Sequence, residues 1–197
     1  MSSRLAAVVL AAGASSRMGR PKALLRWRGR PFVVHALGQA EVAGASPVVV
    51  VEGAVPLAGE LPASVTRVHN AAWAEGPLGS LQAGLRALAE REGPAVAALV
   101  LTVDRPHLDP STLRALAHAF ARAPEAIWQP RLGSRRGHPI VYPAELVPML
   151  LALRPPQTPR DLLARPEIAA CRQQVEVDDP AVLDNLDRPE DLRRLPP

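Results

Sequence analysis

The chain holds very little cysteine, lysine or aromatic side chain. Cys171 is its one cysteine, so no internal disulfide forms and no multi-cysteine metal site can be built. A lone thiol of this kind reads as a small buried apolar group. Aromatic residues make up 3% of the sequence. Phe32, Phe120, Tyr142 and the tryptophans are too few to give the row of stacking platforms that single-stranded nucleic acid uses. The core must be built from Ala, Val and Leu. Long apolar runs are missing as well. The run that follows Arg4 is about eight residues, too short to cross a bilayer. It lacks the usual signal-peptide arrangement, and Ala11-Ala12-Gly13 reads as a loop rather than a cleavage site. A cytoplasmic chain with no membrane partner is expected.

Lysine is the most telling scarcity. Lysine and arginine together number 23, and Lys22 is the only lysine. A chain that makes nearly every basic position arginine has little use for lysine as a solubilising group. A compact ammonium on a flexible stem suits a single phosphate oxygen, where a guanidinium fork suits two. Lys22 ends the stretch Leu10-Ala11-Ala12-Gly13-Ala14-Ser15-Ser16-Arg17-Met18-Gly19-Arg20-Pro21-Lys22. There a strand runs into a loop of small residues, an arrangement in which backbone N–H groups hold phosphates. The formal net charge of +4 is spread along the chain. Attraction for a small anionic substrate accounts for it as well as nucleic acid does, and no nucleic-acid partner is expected.

The 197 residues, 48% of them hydrophobic, suffice for one domain with a full core. Apolar runs at 5–10, 47–51, 65–68 and 97–103 read as buried strands. Between them, helical spacing appears at 30–41, 78–91 and 110–122, the last opened by Asp109 as N-cap and Pro110 at the first position. Strands alternating with helices predict an α/β fold with a mostly parallel sheet and helices on both faces. After residue 124 the pattern loosens. Short strands are expected at 126–129, 139–142 and 172–177, helices at 145–153 and 188–195, and a proline-bearing linker at 154–160. The whole chain, 1–197, reads as one unit. Residues 1–124 form its nucleotide-binding part, and residues 125–197 its acceptor-binding part.

Four constellations carry chemistry. In the opening loop, Gly13 and Gly19 permit unusual backbone angles, Ser15 and Ser16 donate, and Arg17 and Lys22 are cations. It is neither a Walker A loop nor a Gly-x-Gly-x-x-Gly fingerprint. A flexible surface loop is the plain alternative. In Thr102-Val103-Asp104-Arg105-Pro106 a carboxylate falls at the end of the central strand, where open α/β sheets bind ligands. A hard oxygen there suits Mg²⁺, which keeps waters and adds substrate phosphates. Near Gly76-Pro77-Leu78-Gly79-Ser80 a turn opens a helix whose N-terminus favours anions. In the tail, Asp184-Asn185-Leu186-Asp187-Arg188-Pro189-Glu190-Asp191-Leu192, Asp187 reads as a helix N-cap, leaving Asp184 or Asn185 to hold a metal.

Segments 10–25, 73–85 and 101–106 with the tail 185–192, in this order, resemble the MobA-like nucleotidyltransferases, and most closely the molybdenum cofactor cytidylyltransferases. The carrying motif is Leu-Ala-Ala-Gly-x-Ser-x-Arg-Met-Gly-x-Pro-Lys, joined by the turn Gly137-His138-Pro139. The resemblance implies a three-layer, Rossmann-like fold of the nucleotide-diphospho-sugar transferase type, a Mg²⁺ cofactor and release of pyrophosphate. It implies that Leu10, Ala11, Ala12, Gly13, Ser15, Ser16, Arg17, Lys22, Gly79, Ser80 and Asp104 bind the nucleotide. Lys22, Arg17 and Asp104 are then catalytic, and Asp104 and Asn185 hold the metal, Asn185 standing where an aspartate is usual. His138 and Arg136 would face the acceptor. Ala12 and Pro21 resemble the cytidine-using members, so CMP transfer from CTP to a molybdopterin-type phosphate is expected, with a molybdoenzyme as the eventual recipient. Two departures stand out: Asp104-Arg105-Pro106 replaces the frequent Asp-Gln-Pro, and Thr158-Pro159-Arg160 replaces Gly-Ala-Arg. The rival readings are a transferase using another nucleotide or a sugar phosphate, and a non-catalytic nucleotide-binding accessory protein.

Overall fold

A computed structural model describes residues 4–93 and 96–196. Strand β1 (Arg4–Leu10) is central, and Ala6, Ala7, Val8 and Val9 are fully buried. Alternation splits these side chains between two cores. Ala6 and Val8 face one, and Ala7 and Val9 face the other. A strand covered on both sides therefore reads as an unbroken apolar run.

Two short strands, β2 (Arg26–Trp27) and β3 (Arg30–Pro31), make a small hairpin that leads into α1 (Phe32–Val42). Strands β4 (Val48–Glu52) and β5 (Thr66–His69) extend the sheet on one side of β1. Helix α2 (Pro77–Glu92) then crosses over to β6 (Val96–Thr102), which pairs with β1 on its other side. Helix α3 (Pro110–Arg122) follows, with the Asp109 carboxylate accepting from the Ser111 N–H as expected of the cap. The rest comprises β7 (Ile127–Leu132), β8 (Arg135–Arg136), β9 (Ile140–Tyr142), α4 (Val147–Ala152), α5 (Pro159–Leu163), α6 (Pro166–Ala169) and β10 (Arg172–Glu176).

The sheet order is β10-β7-β9-β6-β1-β4-β5, with β8 paired to β7. Strands β6, β1, β4 and β5 run parallel, and β9 is antiparallel to both neighbours. Helices α1 and α3 supply Phe32, Leu113 and Phe120 to one core. Helices α2, α4 and α5 supply Leu85, Leu150 and Leu162 to the other. The result is a three-layer α/β sandwich. Helix α2 sits close to the sheet because Gly84 has no side chain. A Cβ there would lie 2.4 Å from Val8 Cγ1.

Three expectations need correcting. Residues 154–160 are not all linker: Thr158 and Asp161 form a capping box that starts α5, with Pro159 at a position where the missing N–H costs nothing. Cys171 is exposed rather than buried, because it follows the end of α6 on the surface before β10. The tail at 189–194 is a 3₁₀ helix capped at Arg188, so Asp187 is not its N-cap. Asp191 instead accepts from the N–H groups of Asp187 and Arg188. No helix among the described residues is long and apolar enough to cross a membrane.

Candidate active site

The carboxyl ends of β1 and β6 point into one cleft, with a cavity of about 560 Å³. The opening loop forms one wall. Ser15 adopts a left-handed backbone (φ 57°), which turns the chain back so that its hydroxyl accepts from the Lys22 N–H at 3.1 Å. Buried Met18, Ala23 and Leu25 fasten the loop to the core. The loop is braced at these points, while Gly13, Ser16 and Arg17 are exposed. The chain leaving β4 passes close to the loop, and the Ala54 N–H donates to the Ala12 carbonyl at 2.9 Å. A Cβ on Gly53 would lie 2.6 Å from Trp73 Cβ and 2.8 Å from the Ala12 carbonyl.

Of the residues expected to hold nucleotide, Leu10, Ala11, Ala12, Gly13, Ser15, Ser16, Arg17, Lys22, Ser80 and Asp104 all line this cleft. Gly79 does not. It lies behind it in the first turn of α2, beside Asn70, whose amide donates to Ser80 Oγ at 2.9 Å.

The loop end of the cleft is held by one carboxylate. Asp187 bonds to Lys22 Nζ and, at 2.9 Å, to Arg17 Nη2. Lys22 holds the Asp187 carboxyl below the usual carboxylate range, and Arg17 adds to this. Both side chains of the Asp187–Lys22 pair are partly covered, at 30% and 12% exposed. Sequence reasoning assigned Asp187 elsewhere. No local pattern encodes this placement: the Asp187 N–H donates to the Asn185 carbonyl at 3.0 Å in a tight turn about buried Leu186, and the turn carries Asp187 to the cleft.

The floor is different. Asp104 Oδ1 accepts from Thr102 Oγ1 and, at 2.7 Å, from Arg105 Nη1. Arg105 Nη2 donates to Asn185 Oδ1. Asn185, expected to join Asp104 at a metal, accepts through its carbonyl oxygen from this guanidinium and is not among the residues that line the cleft. None of the described hydrogen bonds uses Asp104 Oδ2, and the residue faces the cavity. A single hard carboxylate oxygen beside room for phosphates fits Mg²⁺, which takes one or two protein oxygens and keeps its waters. No group of three or more acidic, histidine or cysteine side chains among the described residues offers a fuller cage.

His138 lies near this floor but does not line the cleft. Burial pushes its imidazole down to about 4, Arg105 pushes the same way, and Asp104 opposes them. Its Nδ1 is buried without a hydrogen-bond partner among the described residues. Arg136 is exposed on β8 and is not brought to the cleft.

The sequence matches the MobA-like NTP transferase domain over residues 7–174. The chain belongs to that family. It is a nucleotidyltransferase of the MobA-like type with the nucleotide-diphospho-sugar transferase fold. Among curated relatives, a nicotine blue oxidoreductase from Paenarthrobacter nicotinovorans is 38% identical over 151 residues, 72% of each chain. A probable molybdenum cofactor guanylyltransferase from Opitutus terrae is 36% identical over 64% of this chain and 60% of its own length. A solved nucleotidyl transferase from Methanothermobacter thermautotroptrophicus superposes with a TM-score of 0.76 at 26% identity, covering 97% of this chain and 95% of that one.

Proposed function

We propose that this MobA-like chain transfers CMP from CTP to a phosphorylated, molybdopterin-type acceptor and releases pyrophosphate. One observation carries the reading: Lys22 and Arg17 converge on a single carboxylate at the mouth of a cleft whose floor holds Asp104. Two cations gathered on one anionic group can receive polyphosphate oxygens in its place. The acceptor phosphate oxygen attacks the α-phosphorus, and the bond to the leaving pyrophosphate oxygen breaks. No protein nucleophile is needed. Lys22 and Arg17 offset the charge that grows on the pyrophosphate, and the braced loop keeps its N–H groups in place without reorganisation. A Mg²⁺ ion held by Asp104 Oδ2 would supply Lewis-acid stabilisation of phosphate oxygens when bound.

The choice of cytosine rests on Ala12 and Pro21. The guanylyltransferase name carried by three relatives, at 31–39% identity, makes GTP the competitor. Pyrophosphate release with CTP, GTP, ATP and UTP, with and without a molybdopterin-type acceptor, tests this. CTP with acceptor should give the largest release. Equal or greater release with GTP overturns the cytosine assignment. No release with any triphosphate overturns the transfer chemistry and leaves an accessory binding role. A second reading is favoured by the relative named an oxidoreductase. The absence of Gly-x-Gly-x-x-Gly weighs against it. Oxidation of NADPH in the presence of a quinonoid dye, at a rate above that of pyrophosphate release, would establish it. A cytoplasmic setting and a recipient molybdoenzyme follow from the proposed reaction.

A further inference from the structure

Arg105 is 6% exposed, in the turn that follows β6, next to Asp104. Its guanidinium spans three acceptors. Nη1 donates to Asp104 Oδ1 and to Thr102 Oγ1, each at 2.7 Å, and Nη2 reaches Asn185 Oδ1. The tail is pinned beside it, since the Leu186 N–H donates to the Asp104 carbonyl at 3.3 Å. The Arg105 carbonyl in turn accepts from the buried Gln39 amide at 2.7 Å. The guanidinium is thus fixed at both its backbone and its tip.

We propose that Arg105 is a resident cation that controls how the site takes a divalent ion. It hydrogen-bonds both the carboxylate of Asp104 and the carbonyl of Asn185, the two oxygens that the family resemblance assigns to the metal. A guanidinium never loses its charge in a protein. It removes Asn185 from the donor set and repels a second cation at short range. Asp104 Oδ2 alone is a weak site for the bare ion. The triphosphate changes the balance by adding both oxygens and negative charge. The metal therefore enters with the nucleotide rather than before it, and Arg105 sets that order.

This rests on Asp104 being the metal carboxylate, and the test separates the two claims. Mn²⁺ binding to the nucleotide-free protein is measured by the loss of its free-ion paramagnetic resonance signal. The Arg105→Gln variant should bind Mn²⁺ tighter than wild type by on the order of tenfold. The Asn185→Ala variant in the otherwise wild-type chain should match wild type within about twofold, because Asn185 is not a ligand while Arg105 holds it. In the Arg105→Gln background, both Asn185→Ala and Asp104→Asn should abolish the gain. Circular dichroism melting checks that each variant is folded, and Asn185→Ala keeps the test decisive if Arg105→Gln does not fold. An unchanged affinity in Arg105→Gln, or a tenfold loss in Asn185→Ala, overturns the proposal for Arg105. A gain that survives Asp104→Asn overturns the assignment of Asp104 itself.

Discussion

The two ends of the cleft solve opposite electrostatic problems. At the loop end, two cations share one carboxylate, and the Arg17 side chain is 66% exposed. At the floor, one cation is shared by three oxygen groups, and the Arg105 side chain is 7% exposed. An ion pair open to water contributes about 0–1 kcal/mol and can be exchanged for another anion. A buried one costs several kcal/mol to break, because the remaining partner is left uncompensated. On the proposed reading the exposed Arg17 arm of the loop end can trade the carboxylate for phosphates, while the Lys22–Asp187 arm, at 12% and 30% exposed, is held more firmly. The floor is built to stay as it is.

The largest effect should come from removing either end outright. Asp104→Ala and Lys22→Ala should each lower pyrophosphate release about a hundredfold while the chain stays folded, with Asp104→Ala also lowering the melting temperature because Arg105 is left uncompensated. Steady-state kinetics beside melting curves check this. A near-normal rate in Lys22→Ala would erase the loop end's role and with it the contrast. Next comes His138, which borders the floor. Its folded value of about 4 lies below the ordinary 6.5. The folded chain keeps the imidazole neutral while the unfolded chain protonates it. Stability should therefore fall as pH drops from about 6.5 to about 4, by up to about 3 kcal/mol. Urea unfolding across that range should show the slope in wild type and a flatter line in His138→Asn.

A smaller effect sharpens the comparison from the loop side. Asp187→Asn should tighten binding of inorganic pyrophosphate by about two- to fivefold, since Lys22 and Arg17 no longer have a competing carboxylate. Titration calorimetry reads this directly, and weaker binding would show that Asp187 supports the ligand instead of yielding to it. The smallest effect belongs to exposed Cys171, whose thiol donates to the Glu167 carbonyl at 3.6 Å and which does not line the cleft. Cys171→Ser should change stability by less than about 0.5 kcal/mol in thermal unfolding.

Much of this arrangement was legible from local rules. The bounds of α3 followed from Asp109 and Pro110, and β1 and β6 from apolar runs that only a doubly covered strand tolerates. Lys22 stood out by scarcity. The misreadings share a cause. Prolines at 155, 156 and 159 suggested a linker, although Thr158 and Asp161 encode a helix start. Asp187 resembled a cap because Pro189 and Glu190 follow it. Its true partners, Lys22 and Arg17, lie at the other end of the chain, Lys22 165 residues away. The Arg105–Asn185 contact spans 80 residues and depends on where a long side chain points, which spacing does not encode.

The most direct test is hydrogen–deuterium exchange of the wild-type protein with and without Mg²⁺ and CTP. The expected result is slowed exchange concentrated at residues 11–19 and 102–105, the loop and the floor. Protection confined to other parts of the sheet, or none at either segment, would contradict a triphosphate lying between them.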